Sequence, residues 1–153
     1  MHTLKGVSQT DQYRALGLST FAFTVCFAVW TIFSIIGVKI KQELGLSDTQ
    51  FGLLVATPVL TGSVSRIFLG VWTEQFGGRI MFPLQMLITA VCVWLLTSVH
   101  TYEIFLVAAL GLGLAGGSFI VGVAYTSRWF EKDRQGTALG IFGAGNVGAA
   151  VTN

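Results

Sequence analysis

A single arginine, Arg66, is the residue whose type and position most clearly indicate chemistry. It lies within the apolar stretch 51–71 and is the only charged residue well inside any long apolar run of the chain. A charge within a bilayer costs at least about 2.5–3.5 kcal/mol on insertion scales, so such residues are functional-site candidates by default. A guanidinium group stays charged and donates hydrogen bonds in a planar fork that suits an oxyanion. The alternatives are that Arg66 extends to the membrane surface without a ligand or forms a structural ion pair.

The acidic residues of the chain all lie outside its long apolar runs. Arg66 therefore has no carboxylate partner within these runs, which favours an anionic ligand as its counter-charge. An acid from a part of the protein outside this sequence is the alternative. The same absence argues against a proton-relay carboxylate in this stretch. The acids are Asp11, Glu43, Asp48, Glu74, Glu103, Glu131 and Asp133.

Two further residues are weaker candidates for a binding site. Asn146 is a polar amide in a segment of small residues, where it either bonds a neighbouring helix or faces a water-filled path. Phe27 shares one helical face with polar and aromatic residues, and that face either lines a cavity or faces lipid. The other residues of this face are Trp30, Thr31 and Ser34.

Small residues recur at four-residue intervals in two of the apolar runs. Gly113 and Gly117 form one such pair, and 136–148 carries a second, longer series. This spacing lets helix backbones approach closely within a membrane. We predict helix packing at Gly113, Gly117, Gly136, Gly140 and Gly148.

The elements that must position these residues are apolar helices. Hydrophobic residues make up 53% of the 153-residue chain, charged residues 10%, and the mean hydropathy is +0.73. A soluble domain carries about 25% charged residues, and about 20 apolar residues span a bilayer. Ser47 and Gln50 form the S-x-x-Q pattern of a helix N-terminus. We predict an all-α polytopic membrane protein with a tail over 1–14 and spans at about 15–38, 51–71, 80–99, 104–125 and 136–153.

The remaining reactive residues do not form any set that is typical of an enzyme or metal site. Cys26 and Cys92 lie within apolar runs, and His2 and His100 lie at the terminus and in a predicted loop. The net charge of +2 is too small to indicate a nucleic-acid partner. We therefore expect no enzymatic activity, metal, prosthetic cofactor or nucleic acid, and we expect the lipid bilayer as surroundings.

The distribution of basic residues predicts the orientation in the membrane. Cytoplasmic loops carry an excess of Lys and Arg. Placing the N-terminus inside puts six basic residues inside, against Lys39 and Lys41 outside, so we predict a cytoplasmic N-terminus. The last apolar run has no polar tail, from which we expect a fragment of a longer polytopic protein. The six are Lys5, Arg14, Arg79, Arg128, Lys132 and Arg134.

Two motifs resemble known families of transporters. Residues 70–79, GVWTEQFGGR, resemble the loop motif G-x-x-x-D-R-x-G-x-R of the major facilitator superfamily through Gly70, Gly77 and Arg79, with Gly78 at a variable position. Glu74 stands in place of the motif's Asp and Gln75 in place of its Arg. Residues 140–148, GIFGAGNVG, are similar to the nitrate signature of the nitrate/nitrite porter family. The segments 27–30 and 113–119, together with Arg66, resemble that family in order and spacing.

The resemblance implies a role for four residues. Arg66 matches an arginine that grips the anion, and Asn146 matches a polar contact to it. Phe27 and Phe119 match aromatic walls that enclose the planar ion. The family has a second anion-binding arginine in its C-terminal half, which this chain does not include.

The resemblance also implies a function. It predicts the N-terminal helices of a twelve-helix facilitator in the inner (plasma) membrane, which moves nitrate or nitrite by alternating access together with the missing C-terminal half. Proton symport and nitrate/nitrite exchange both stay open, so protons are a candidate coupling ion. The alternatives are a facilitator for another small anion and a non-transporting truncated remnant.

Overall fold

The computed structural model describes the backbone of residues 8–98 and 101–152, and the side chains of these residues except 32–34 and 151–152. Part of the tail (with His2 and Lys5), His100 and the Ser34 side chain lie outside this description. The described residues form helices throughout, joined by short turns. In order these are α1 (Gln9–Leu44), α2 (Asp48–Phe76), α3 (Gly78–Ser98), α4 (Tyr102–Gly116), α5 (Ser118–Trp129), α6 (Lys132–Gly143), a 3-10 turn (Ala144–Val147) and α7 (Gly148–Thr152).

Within the described part of the chain, four segments are long and apolar enough to cross a membrane, and they correspond to the first four predicted spans. They are Gln9–Leu44, Asp48–Phe76, Gly78–Ser98 and Tyr102–Trp129. The prediction of an all-α polytopic membrane protein is confirmed. Helices α1 and α2 begin before their apolar runs, and a serine caps the start of each. The Ser8 hydroxyl, for example, accepts a hydrogen bond from the Thr10 amide at 3.3 Å at the start of α1.

The turn between α1 and α2 follows directly from local sequence. Gly45 ends α1 with φ of 61°, a left-handed conformation that glycine adopts without a steric penalty. Ser47 and Gln50 then exchange two hydrogen bonds. The main-chain N–H of Gln50 donates to the Ser47 hydroxyl, and the main-chain N–H of Ser47 donates to Oε1 of Gln50. The predicted start of the second helix is therefore confirmed.

The last two predicted spans are interrupted. The fourth consists of α4 and α5, which meet at Gly117, and the 3-10 turn Ala144–Val147 divides the predicted fifth. Glycine has a low helix propensity, and both interruptions lie in glycine-rich sequence.

The segment α4–α5 lies at the centre of the described bundle. In the most apolar 18-residue stretch of this segment 56% is buried, against 20–28% in the corresponding stretches of the other three segments. Helices α1, α2 and α3 surround it. Several of its small and aliphatic residues are fully buried, namely Ala108, Ala109, Leu112, Ala115 and Val121.

Candidate functional site

Arg66 lies on α2 with its guanidinium group directed toward α4. Its Nη2 donates to the carbonyl oxygen of Gly116 at 3.5 Å, which is a long and weak hydrogen bond. The ion pair found among the described residues joins Lys41 to Asp48 and does not involve Arg66. No described carboxylate lies within salt-bridge distance of Arg66. A guanidinium group has five N–H donors, so most of its capacity is available to a ligand.

The carbonyl that Arg66 contacts belongs to the break between α4 and α5. The Gly117 amide donates to Leu114 O at 2.9 Å, and the Ile120 amide donates to Gly117 O at 3.2 Å. Both are hydrogen bonds to the third residue back, which replace the α-helical pattern locally. The break therefore presents main-chain carbonyls to side chains of the surrounding helices, including Arg66.

The aromatic candidates Phe27 and Phe119 both contact a third ring, Phe23. The centroid distances are 5.4 Å from Phe23 to Phe27 and 5.5 Å from Phe23 to Phe119. Phe23 is fully buried and stacks on Phe142 of α6 at 4.8 Å. These rings form one continuous apolar surface that joins α1, α5 and α6.

Trp30 connects this aromatic cluster to the helix break. Its ring centroid lies 5.5 Å from that of Phe27. A Cβ atom on Gly116 would lie only 2.9 Å from the indole nitrogen, Nε1. Gly116 therefore contacts both the indole and the guanidinium group of Arg66, and only glycine leaves room for the indole there.

Asn146 lies in the 3-10 turn with an exposed side chain that makes no hydrogen bond to the described residues. The turn is seated on α1 through the preceding residue, because a Cβ on Gly145 would lie 2.5 Å from Cδ1 of Phe23. Gly148 packs directly on the carbonyl of Thr24. The amide of Asn146 is thus exposed, next to the residue that seats the turn on Phe23.

The four residues singled out for substrate binding are therefore linked through a short chain of contacts. Arg66 touches the break, Trp30 joins the break to Phe27, and Phe23 joins Phe27 to Phe119 and to the turn that carries Asn146. The arrangement combines a cation, amide donors and flat apolar surfaces, which is the chemistry that a small planar anion requires.

Sequence reasoning missed two residues of this region. Phe23 is the ring on which the other phenylalanines converge, and its four-residue spacing from Phe27 was the available signal. Gln85 of α3 donates from its side-chain amide to Leu114 O at the break. A polar amide inside an otherwise apolar run was the signal that could have identified it.

The glycines predicted to pack helices fall into two groups. A Cβ on Gly113 would lie 2.5 Å from Cβ of Thr61, and a Cβ on Gly117 would lie 2.5 Å from Cδ1 of Leu69. In contrast, a Cβ on Gly136 or Gly140 would meet no described atom within 4 Å. Packing at Gly136 and Gly140 therefore stays a prediction, and it would require a partner beyond the described residues.

The glycines of the loop motif shape the connection between α2 and α3. Gly77 ends α2 with φ of 82°, which favours glycine, and Gly78 lies against the ring of Tyr125, where a Cβ would come within 2.5 Å. Gly70 has more room, since a Cβ there would meet Ile120 at 3.7 Å.

The charged residues of the motif lie at the surface. The main-chain carbonyl of Glu74 accepts a hydrogen bond from Arg128, while its carboxylate is exposed. Arg79 lines an open cavity of about 620 Å³ between α1 and α3, together with Asp11 and Arg14.

Comparison with known proteins identifies relatives of this chain. The sequence model of the Major Facilitator Superfamily matches residues 18–152. The chain is 48% identical over 142 residues to a protein of Thermus thermophilus named "Probable nitrate/nitrite antiporter NarK1", covering 93% of this chain and 32% of that protein. It is 33% identical to "Probable nitrate/nitrite transporter NarK2" of Mycobacterium tuberculosis, covering 92% of this chain and 36% of that protein.

A third relative carries a name that states a direction of transport. The "Nitrite extrusion protein" of Bacillus subtilis is 32% identical over 141 residues, covering 92% of this chain and 36% of that protein. The chain thus spans about a third of the length of these curated relatives.

Proposed function

Because this chain belongs to the Major Facilitator Superfamily, we propose that it forms the first helices of a transporter that moves nitrate or nitrite across the cell membrane. The observation that carries the proposal is the guanidinium group of Arg66. It lies inside an apolar helix, has no carboxylate partner among the described residues, and has one weak hydrogen bond. A cation within a bilayer is costly, and binding an anion offsets that cost.

The other candidate residues, which are connected to Arg66 through Gly116, Trp30 and Phe23, favour a small, flat anion over a large one. Phe27 and Phe119 supply ring faces on two different helices. Asn146 supplies a side-chain amide that makes no hydrogen bond to a described residue. Nitrate and nitrite are planar and delocalise their charge over oxygen atoms, which a guanidinium fork and an amide can both bond. We therefore assign Arg66 as the charge partner, Asn146 as a neutral donor and the two phenylalanines as walls.

The proposed transport cycle needs the rest of the protein. In transporters of this kind the substrate is held near the midplane between two halves that rock around it. The described residues supply one side of such a site. We also propose that the N-terminus is cytoplasmic, because six basic residues would then lie inside and two outside. We propose further that the protein is a transporter in the cell membrane and has no enzymatic activity.

Uptake of labelled nitrate by the full-length protein in proteoliposomes tests this function. We expect saturable nitrate uptake that unlabelled nitrite inhibits, and that chloride, formate and cyanate at the same concentration inhibit much less. Empty vesicles are the control. Stronger inhibition by one of the other anions would favour a facilitator for that anion. Absence of uptake of every anion by a folded protein, both in proteoliposomes loaded with nitrite for exchange and in unloaded proteoliposomes with an inward proton gradient, would contradict the proposal.

A further inference from the structure

Gln85 is an amide side chain buried at the centre of the bundle. It is 2% exposed and lies on α3 between apolar neighbours. Burying an amide in an apolar environment costs free energy unless its polar atoms are hydrogen-bonded. Its Nε2 atom does have a partner, because it donates to the carbonyl oxygen of Leu114. Its Oε1 atom is buried and makes no hydrogen bond to the described residues.

The partner of Gln85 is part of the same break that Arg66 contacts. Leu114 O also accepts the Gly117 amide at 2.9 Å, and Gly116, two residues further on, provides the carbonyl that Arg66 reaches. Two side chains from two helices thus hold neighbouring carbonyls of one irregular turn. A displacement of Leu114 O would therefore move Gly116 O as well.

The position of Arg66 depends on that turn because nothing else among the described residues bonds its guanidinium group. Its single hydrogen bond is at 3.5 Å, so a small movement of Gly116 would break it. We infer that Gln85 is a positioning residue for the anion site: its amide holds the α4–α5 break in the geometry that orients Arg66. This inference rests on the proposed function and assigns Gln85 no contact with the anion.

The test compares Gln85→Met, which keeps the length of the side chain and removes the amide, with wild-type full-length protein. Thr89→Val is the matched control. Thr89 is also buried, one turn further along α3, and among the described residues its hydroxyl bonds the Gln85 carbonyl of its own helix. The measurements are the nitrate dependence of uptake, the melting temperature, and hydrogen exchange of the peptide covering 114–119.

We expect Gln85→Met to raise the KM for nitrate about 3- to 10-fold, because a displaced Arg66 would lose about one hydrogen bond to the anion. The maximal rate per folded transporter should change little, and hydrogen exchange at 114–119 should accelerate. Thr89→Val should change neither KM nor exchange. If Gln85→Met does not accumulate, Gln85→Asn replaces it, since its shorter amide cannot reach Leu114 O.

Two results would overturn the inference: unchanged KM and exchange in the Gln85 variant, or equal changes in the Thr89 control. A failure of the proposed function is distinguishable from these. Wild-type protein that takes up no nitrate would contradict the function, and the exchange measurement alone would then decide whether Gln85 holds the break.

Discussion

Two glycine-rich surfaces of this molecule share one sequence spacing and differ in what they contact. The first, the glycine junction, consists of Gly113, Gly116 and Gly117, where α4 meets side chains of α1 and α2 within van der Waals distance. The second, the open glycine face, consists of Gly136 and Gly140 of α6, where an added Cβ would meet no described atom of another element within 4 Å. The comparison teaches that small residues at four-residue spacing predict a surface that a helix could approach, and do not predict which helix approaches it.

The two surfaces also differ in their polar neighbours. The junction includes the break whose carbonyls bond Arg66 and Gln85. The open face leads into the turn that carries the exposed side chain of Asn146. We therefore expect substitutions at the junction to affect folding and charge recognition together, and substitutions near the open face to have smaller effects.

The largest effect is expected for Gly113→Leu. A Cβ there would lie 2.5 Å from Cβ of Thr61 and 2.8 Å from the carbonyl oxygen of Pro58, and a backbone atom cannot move aside as a flexible side chain can. We expect most of the folded protein to be lost, measured as the monodisperse fraction after extraction from the membrane. A stable, active Gly113→Leu variant would contradict close packing at the junction.

The second largest effect is expected for Arg66→Ala, which should lower nitrate uptake about 10- to 100-fold at matched expression, because it removes charge-assisted hydrogen bonds. Arg66→Lys keeps the charge without the planar fork, so it should restore only part of the uptake. Near-normal uptake by the Lys variant would mean that the fork is not used. Near-normal uptake by the Ala variant would remove Arg66 from the mechanism.

A smaller effect is expected for Asn146→Ala. The amide is neutral and exposed, so its loss should raise the KM for nitrate by about 2- to 10-fold, the range for one neutral hydrogen bond. The melting temperature should stay unchanged because the side chain makes no hydrogen bond to the described residues. A decrease in uptake as large as that of Arg66→Ala would show that the region near the open face is as important as the junction.

Gly140→Ala should have a small effect on stability. A methyl group there meets no described atom, and Ala in a helix interior is favoured over Gly by about 0.5–1 kcal/mol. Thermal unfolding of the full-length protein, with Gly113→Ala as the matched comparison, measures the difference. Strong destabilisation by both variants would mean that another part of the full-length protein packs on the open face.

Cysteine labelling tests on which side of the membrane each end of α2 lies. The substitutions it needs should not change transport. Ser47 and Gln75 lie at opposite ends of α2 and are both exposed, whereas the native Cys26 and Cys92 are buried. In intact cells an impermeant thiol reagent should label Ser47→Cys and spare Gln75→Cys. The reverse pattern would place the N-terminus outside.

Most of the fold could be predicted from the sequence because burial in a bilayer imposes a simple rule. Every main-chain amide must be bonded within the segment, so long apolar runs become helices. The Ser47–Gln50 cap and the left-handed Gly45 are equally local, since their hydrogen bonds connect residues within one turn. The candidate arginine was also evident, because one charge within apolar sequence is conspicuous by itself.

The composition and the spacing of the sequence by themselves determined the helices, the isolated charge at Arg66 and the glycines that allow close approach. Only the tertiary structure decided the partners: that the helix breaks at Gly117, that Gln85 and Arg66 bond the carbonyls of Leu114 and Gly116 at this break, and that Phe23 contacts both Phe27 and Phe119. The physical reason is the separation along the chain of the residues that interact. Helix formation and capping depend on neighbours within about four residues, whereas Arg66 and Gly116 are fifty positions apart, and only the packing of whole helices brings them together.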